Sequence, residues 1–170
     1  DLEYTVSVTM KLNLTLKTRN DSKKPFSFSC GLHPYLRLRE RNDAYVRGLD
    51  GLVYFDGLSG TPDLKHTGDF ALNRDVDYVF AMKSEVKHEY ALIDPGAERA
   101  TAIVSTGNDS AVVWNPGPEL RLHDLEEDDW RKFACVEPVS DWPGGRELKS
   151  GESYVLSASI QCTLKQSNEG

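Results

Sequence analysis

From Tyr4 to Leu16 the chain alternates without a break. Tyr4, Val6, Val8, Met10, Leu12, Leu14 and Leu16 are apolar, and Thr5, Ser7, Thr9, Lys11, Asn13 and Thr15 between them are polar. A period of two sends successive side chains to opposite faces of an extended chain, so the segment predicts a strand with one buried and one wet face. At about 3.4 Å per residue it would run to roughly 45 Å, long for a strand, which predicts a bend or bulge near its middle. Asn20-Asp21-Ser22 then supplies turn chemistry before an apolar stretch through Phe26 and Phe28.

Shorter apolar runs predict strands around 44–46, 52–55, 78–82, 89–93, 100–105, 111–114, 132–137 and 154–164. Between them lie turn makers such as Gly57-Leu58-Ser59-Gly60, Asp94-Pro95-Gly96, Gly107-Asn108-Asp109 and Asn115-Pro116-Gly117-Pro118. Closely spaced strands with frequent turns predict an all-β fold, an antiparallel β-sandwich. The only helix candidate is 122–132, whose run Glu126-Glu127-Asp128-Asp129 reads as a solvated turn. A chain of 170 residues buries one sizeable core, which predicts a single domain over 1–165 and a frayed tail over 166–170.

Charge and cysteine usage narrow the function classes. A net charge of −7 argues against a nucleic-acid partner, which needs clustered lysine and arginine. No apolar run is long enough to span a bilayer, so no membrane partner is expected. Cys30, Cys135 and Cys162 form no close-spaced pair, which points to a reducing, cytoplasmic setting, with a plastid not excluded. His66, His88 and His123 share no metal-ligand spacing, and there is no phosphate-cradling glycine loop or serine nucleophile elbow. Neither a metal nor a cofactor is expected.

The candidate chemistry sits at strand ends. His33 closes the stretch Phe26 to Leu32 and is followed by Pro34, so its imidazole is aimed and not mobile; such a group is either a proton donor or acceptor or a satisfied structural histidine. Glu137, between Cys135-Val136 and Pro138, is either a solvated strand terminus or a positioned base. Asp77 is a strand-start cap or an acceptor for a polyol hydroxyl. Trp114 and Asn115 offer a flat ring and an amide that suit a sugar face and its hydroxyls, or a core tryptophan followed by a loop. Arg37, Arg39 and Lys65 are the cations available near these segments.

Five blocks in order carry a resemblance. They are Asn20 through Pro25-Phe26 into Leu32-His33-Pro34-Tyr35-Leu36; Val46-Arg47-Gly48-Leu49-Asp50-Gly51 with Tyr54 and Asp56; Val76-Asp77-Tyr78-Val79-Phe80; Val112-Val113-Trp114-Asn115-Pro116; and Cys135-Val136-Glu137. Together they resemble the C-terminal part of the hexose-6-phosphate mutarotases, the sugar-phosphate branch of the aldose 1-epimerase superfamily. The resemblance covers nearly the whole chain. It implies a galactose mutarotase-like β-sandwich, incomplete at its N-terminus, and cofactor-free interconversion of the α and β anomers of a hexose 6-phosphate. Glu137 would be the general base, His33 the general acid, and Asp77 a holder of a sugar hydroxyl. The chain would match roughly the last 60% of a typical member, without the upstream arginine and second histidine that help bind substrate. A sheet edge left uncovered by missing strands would favour self-association. A non-catalytic carbohydrate-binding or assembly module derived from such an enzyme is the competing reading.

Overall fold

Antiparallel pairing organises almost every segment of the computed structural model, which describes residues 1–83, 86–141 and 144–164; the expected frayed tail at 166–170 lies outside the described residues. One sheet runs, edge to edge, Leu2–Val8, Leu12–Arg19, Ser153–Leu164, Arg99–Thr106, His88–Asp94, Tyr45–Arg47 and Phe70–Ala71. The other has Phe133–Ser140 flanked on one side by the short strands Cys30–Gly31 and Tyr35–Arg37. On its other side follow Ser110–Asn115, Val76–Ala81, Val53–Asp56 and Thr61–Lys65. A two-stranded ribbon, Phe26–Phe28 with Arg146–Leu148, completes the pairing. Among the described residues there is no α-helix; the acidic 122–132 stretch contains only one 3₁₀ turn, Asp129–Lys132.

The core lies between the sheets, filled by the inward alternate residues of both. Val46, Phe70, Leu92, Ile103 and Leu156 come from the first sheet, and Phe80, Val76, Val113 and Val136 from the second, all essentially inaccessible to water. Burying alternate residues on each strand is what an antiparallel sandwich requires, since each sheet then has one face left for solvent or ligand. Gly107 turns the chain between two central strands at φ +86°, and a Cβ there would collide with the Val155 carbonyl. Only glycine fits such a turn without strain.

Two sequence expectations need correction. The segment 4–16 is not one bent strand: it is the hairpin Leu2–Val8 and Leu12–Arg19, with Leu2 opposite Thr18 and Val8 opposite Leu12. The reversal falls at 9–11, where the Thr9 N–H donates to the Lys11 carbonyl and the Thr9 hydroxyl accepts from the Lys11 N–H, so side chain and backbone close the turn locally without Gly or Pro. Nor does every alternating stretch bury a face. Leu14 is 7% exposed, whereas Leu2, Tyr4, Val6 and Val8 on the neighbouring strand are 52–75% exposed. Leu2–Val8 is the edge strand, and its apolar row, opposite Leu12, Leu14 and Leu16, stays exposed among the described residues.

Candidate active site

Register assembles the site. Phe133–Ser140 pairs with Gly31 opposite Val139 and with Tyr35 opposite Cys135, and the same register carried through the gap sets His33 opposite Glu137. The gap falls where Pro34 and, on the partner strand, Pro138 have no N–H to give to the ladder, while the Leu32 N–H still bonds the Pro138 carbonyl (3.1 Å). Leu32 and Leu36 therefore point into the core. His33, Tyr35, Cys135 and Glu137 share the opposite, outer face of the sheet.

On that face His33 Nε2 lies 3.2 Å from Glu137 Oε1. The carboxylate side chain is 9% exposed and the imidazole 46%, so the pair has a dry side and a wet side. Burial pushes the Glu137 carboxyl up to about 8, with the nearby Asp77 carboxylate acting in the same direction. At this distance the two groups form an ion pair whenever the imidazole is protonated and the carboxyl ionised.

Aromatic rings frame the pair. Tyr35 stacks on the imidazole with ring centres 5.1 Å apart, Trp114 meets it edge-on at 5.6 Å, and Phe133 backs Tyr35 at 5.0 Å. Asp77 lies opposite Trp114 on the next strand, which is itself opposite Cys135, so Asp77 is two strand spacings, about 10 Å, from the Cys135 backbone. Its side chain sits over Gly57, where any Cβ would come within 2.7 Å of Oδ2, and burial together with Asp56 raises its carboxyl. His33, Glu137, Trp114 and Asp77 thus share one face.

Asn115 does not join them. Its Oδ1 accepts from Arg41 Nη1 and the Gly117 N–H, and its Nδ2 donates to the carbonyls of Trp130 and Phe133, at 2.8–3.0 Å. All four hydrogen bonds of the buried amide go to the chain, leaving none for a sugar. Its effect is to fix the start of Phe133–Ser140. The other end of that strand is fixed by Asp109, which accepts from the Asp141 N–H (3.1 Å), and by Arg146, whose Nε donates to Ser140 Oγ (2.8 Å). Glu137 is carried on a strand clamped at both ends.

Sequence reasoning missed Tyr35 and Cys135. Both were legible in principle, each being two residues from a named site residue on a strand. The expectation of no metal site rested on local spacing, yet folding brings the donor atoms of His33, Cys135 and Glu137 within 4.8 Å of one another. All three cysteines are free, and burial holds the Cys135 thiol far above its ordinary range, with Glu137 adding to the effect. Among the described residues no helix is long and apolar enough to cross a membrane.

Known proteins share this arrangement of strands. A Salmonella typhimurium protein described as "a putative mutarotase (YeaD)" superposes with a TM-score of 0.84 at 20% identity over 96% of this chain and 54% of that one. The Slr1438 protein from Synechocystis sp. PCC 6803 gives 0.72 at 19% identity over 96% of this chain and 55% of that one. At such identity these likenesses speak for the fold. In sequence, a Cenchrus ciliaris protein named "Putative glucose-6-phosphate 1-epimerase" is 28% identical over 135 residues, 76% of this chain and 40% of the relative. The chain therefore spans less than half of that relative's length and about half of the two solved structures. The family profile for aldose 1-epimerase matches residues 1–161, and the chain belongs to that family.

Proposed function

We propose that this chain carries the acid–base pair of an isomerase that interconverts the α and β anomers of a hexose 6-phosphate. The observation that carries the reading is the 3.2 Å contact between His33 Nε2 and Glu137 Oε1 on an open, aromatic-framed face. Opening a pyranose requires a proton to leave the anomeric O1 hydroxyl while another reaches the ring oxygen O5. Both oxygens are bonded to the same carbon, so the two proton-transfer groups must be neighbours. His33 and Glu137 are.

In this mechanism Glu137 takes the O1 proton and the His33 imidazolium protonates O5, breaking the C1–O5 bond and leaving the open-chain aldehyde. Rotation about C1–C2 presents the other carbonyl face. With roles exchanged, His33 takes the O5 proton, O5 attacks C1, and Glu137 returns a proton to O1. A carboxyl raised toward neutrality is a stronger base once ionised than an ordinary one. Asp77 accepts from a ring hydroxyl, and Trp114 offers a face for the sugar's C–H surface. The phosphate preference is supported by the name of the Cenchrus ciliaris relative. A reducing, cytoplasmic setting accords with three free thiols.

The exposed apolar row of Leu2–Val8 supports a second part of the reading, self-association through that edge strand. Exchange spectroscopy between α- and β-glucose 6-phosphate tests the reaction directly, with unphosphorylated glucose as comparison. Exchange above the spontaneous rate, lost in both His33→Asn and Glu137→Gln, is the expected result. Wild-type exchange in both variants overturns the assignment.

A further inference from the structure

We propose that His33, Cys135 and Glu137 also form a three-donor site for a zinc-class divalent cation, and that occupancy of this site idles the acid–base pair. Cys135 and Glu137 stand two apart on a strand paired with Ser110–Asn115, and His33 faces Glu137 from the segment on the other side, so an imidazole nitrogen, a thiol and a carboxylate converge. All three donor atoms lie within 4.8 Å of one another.

Tetrahedral zinc binds sulfur at about 2.3 Å and nitrogen or oxygen at about 2.0–2.2 Å, which puts neighbouring ligand atoms roughly 3.3–3.6 Å apart. The His33–Glu137 separation of 3.2 Å already meets that requirement. The widest separation must shrink by about 1 Å to reach it. The half-exposed His33 ring has more room to adjust than the two buried ligands. Cys135 and Glu137 are buried and fixed, and the solvent side at His33 leaves a fourth position for water. A mixed nitrogen, sulfur and oxygen set selects a borderline-soft ion over magnesium or calcium, which take oxygen ligands.

Binding displaces the Cys135 thiol proton, and any proton on the ligating atoms of His33 and Glu137, to solvent. The metal then occupies the Nε2 lone pair and the carboxylate oxygen, and neither can exchange a proton with a sugar. Binding stands on the three donors alone, whereas the loss of turnover rests on the acid–base reading proposed above.

Titrating the metal-free chain with Co²⁺ separates the two. A thiolate-to-cobalt charge-transfer band should appear, saturate at one equivalent, yield to Zn²⁺ and ignore Mg²⁺. Cys135→Ser and His33→Asn, each checked for retained fold by circular dichroism, should weaken binding at least about tenfold, the scale on which even supporting partners of metal ligands matter. In parallel, Zn²⁺ should lower hexose 6-phosphate anomerisation at least about tenfold, with recovery on adding a chelator. A spectrum without a thiolate band, or a band unchanged in Cys135→Ser, overturns the site. A band together with anomerisation that is absent or indifferent to Zn²⁺ upholds the site and overturns both the idling and the acid–base reading.

Discussion

Two paired strands of this molecule have opposite fates. Leu2–Val8 exposes every residue, while Phe133–Ser140 buries all but one. Both have a paired neighbour, so pairing alone does not decide burial. The difference is that Phe133–Ser140 has the core on one face and the ring cluster of Tyr35, Trp114 and His33 on the other, whereas nothing among the described residues lies over either face of Leu2–Val8. A period of two reports which side chains share a face. What covers the face is settled by other parts of the chain.

The sharpest way to test the contrast is chemical. Glu137→Gln and His33→Asn should each slow anomerisation about 10²- to 10⁴-fold, measured by α/β exchange spectroscopy, with thermal stability close to wild type. Val6→Thr should leave the exchange rate as it was. Equal effects from the two strands would erase the functional side of the comparison.

Next in size is packing. Phe80→Ala, in the sheet that carries Glu137, should cost about 3–5 kcal/mol in chemical denaturation, because it leaves a cavity in a core that cannot fully collapse. Tyr4→Ala on the exposed strand should stay within about 0.5 kcal/mol. A large loss at Tyr4 would mean that this row is covered in solution.

A pH effect follows from Glu137. Its carboxyl is raised in the folded state, so the folded chain binds a proton that the unfolded chain releases. The associated stability is fully present below the ordinary carboxyl range and declines as pH rises toward about 8. Urea titrations across that window should show the decline in wild type and a flatter profile in Glu137→Gln. Asp77, Cys135 and His33 face the same carboxyl, and Asp77→Asn should shift the decline to lower pH by removing a like charge. An unchanged profile in Glu137→Gln would assign the pH dependence to another group.

The smallest effect concerns association. Val6→Lys should lower the sedimentation-average mass at high concentration by placing a charge in the apolar row of the edge strand. No change in mass would remove that row as a contact between copies.

The sequence made the sandwich legible because its evidence is local: alternation, and Gly, Pro, Asn and Asp between runs. It was silent on the reversal at 9–11, where Thr-Met-Lys contains no turn-forming residue. Thr61–Lys65 also escaped notice, a strand containing Pro62 and only one strongly apolar side chain, at the sheet edge where proline is tolerated. The His33–Glu137 contact spans 104 residues and depends on the register of two short strands, which periodicity does not encode; the family resemblance supplied the pairing. Asn115 shows the converse limit. Its residue type suits a hydroxyl, but only the positions of Arg41, Gly117, Trp130 and Phe133 reveal that its bonds are already taken.

The clamps at the two ends of Phe133–Ser140 have an evolutionary consequence. Because Asn115 holds one end and Asp109 with Arg146 the other, the outward side chains between them form a cassette whose contents can change while its frame stays put. Residues 135 and 137 can be exchanged for other reactive groups and still be delivered to the same place opposite residue 33. A lineage could acquire or lose chemistry at this face by substitutions that leave the clamps of the strand in place.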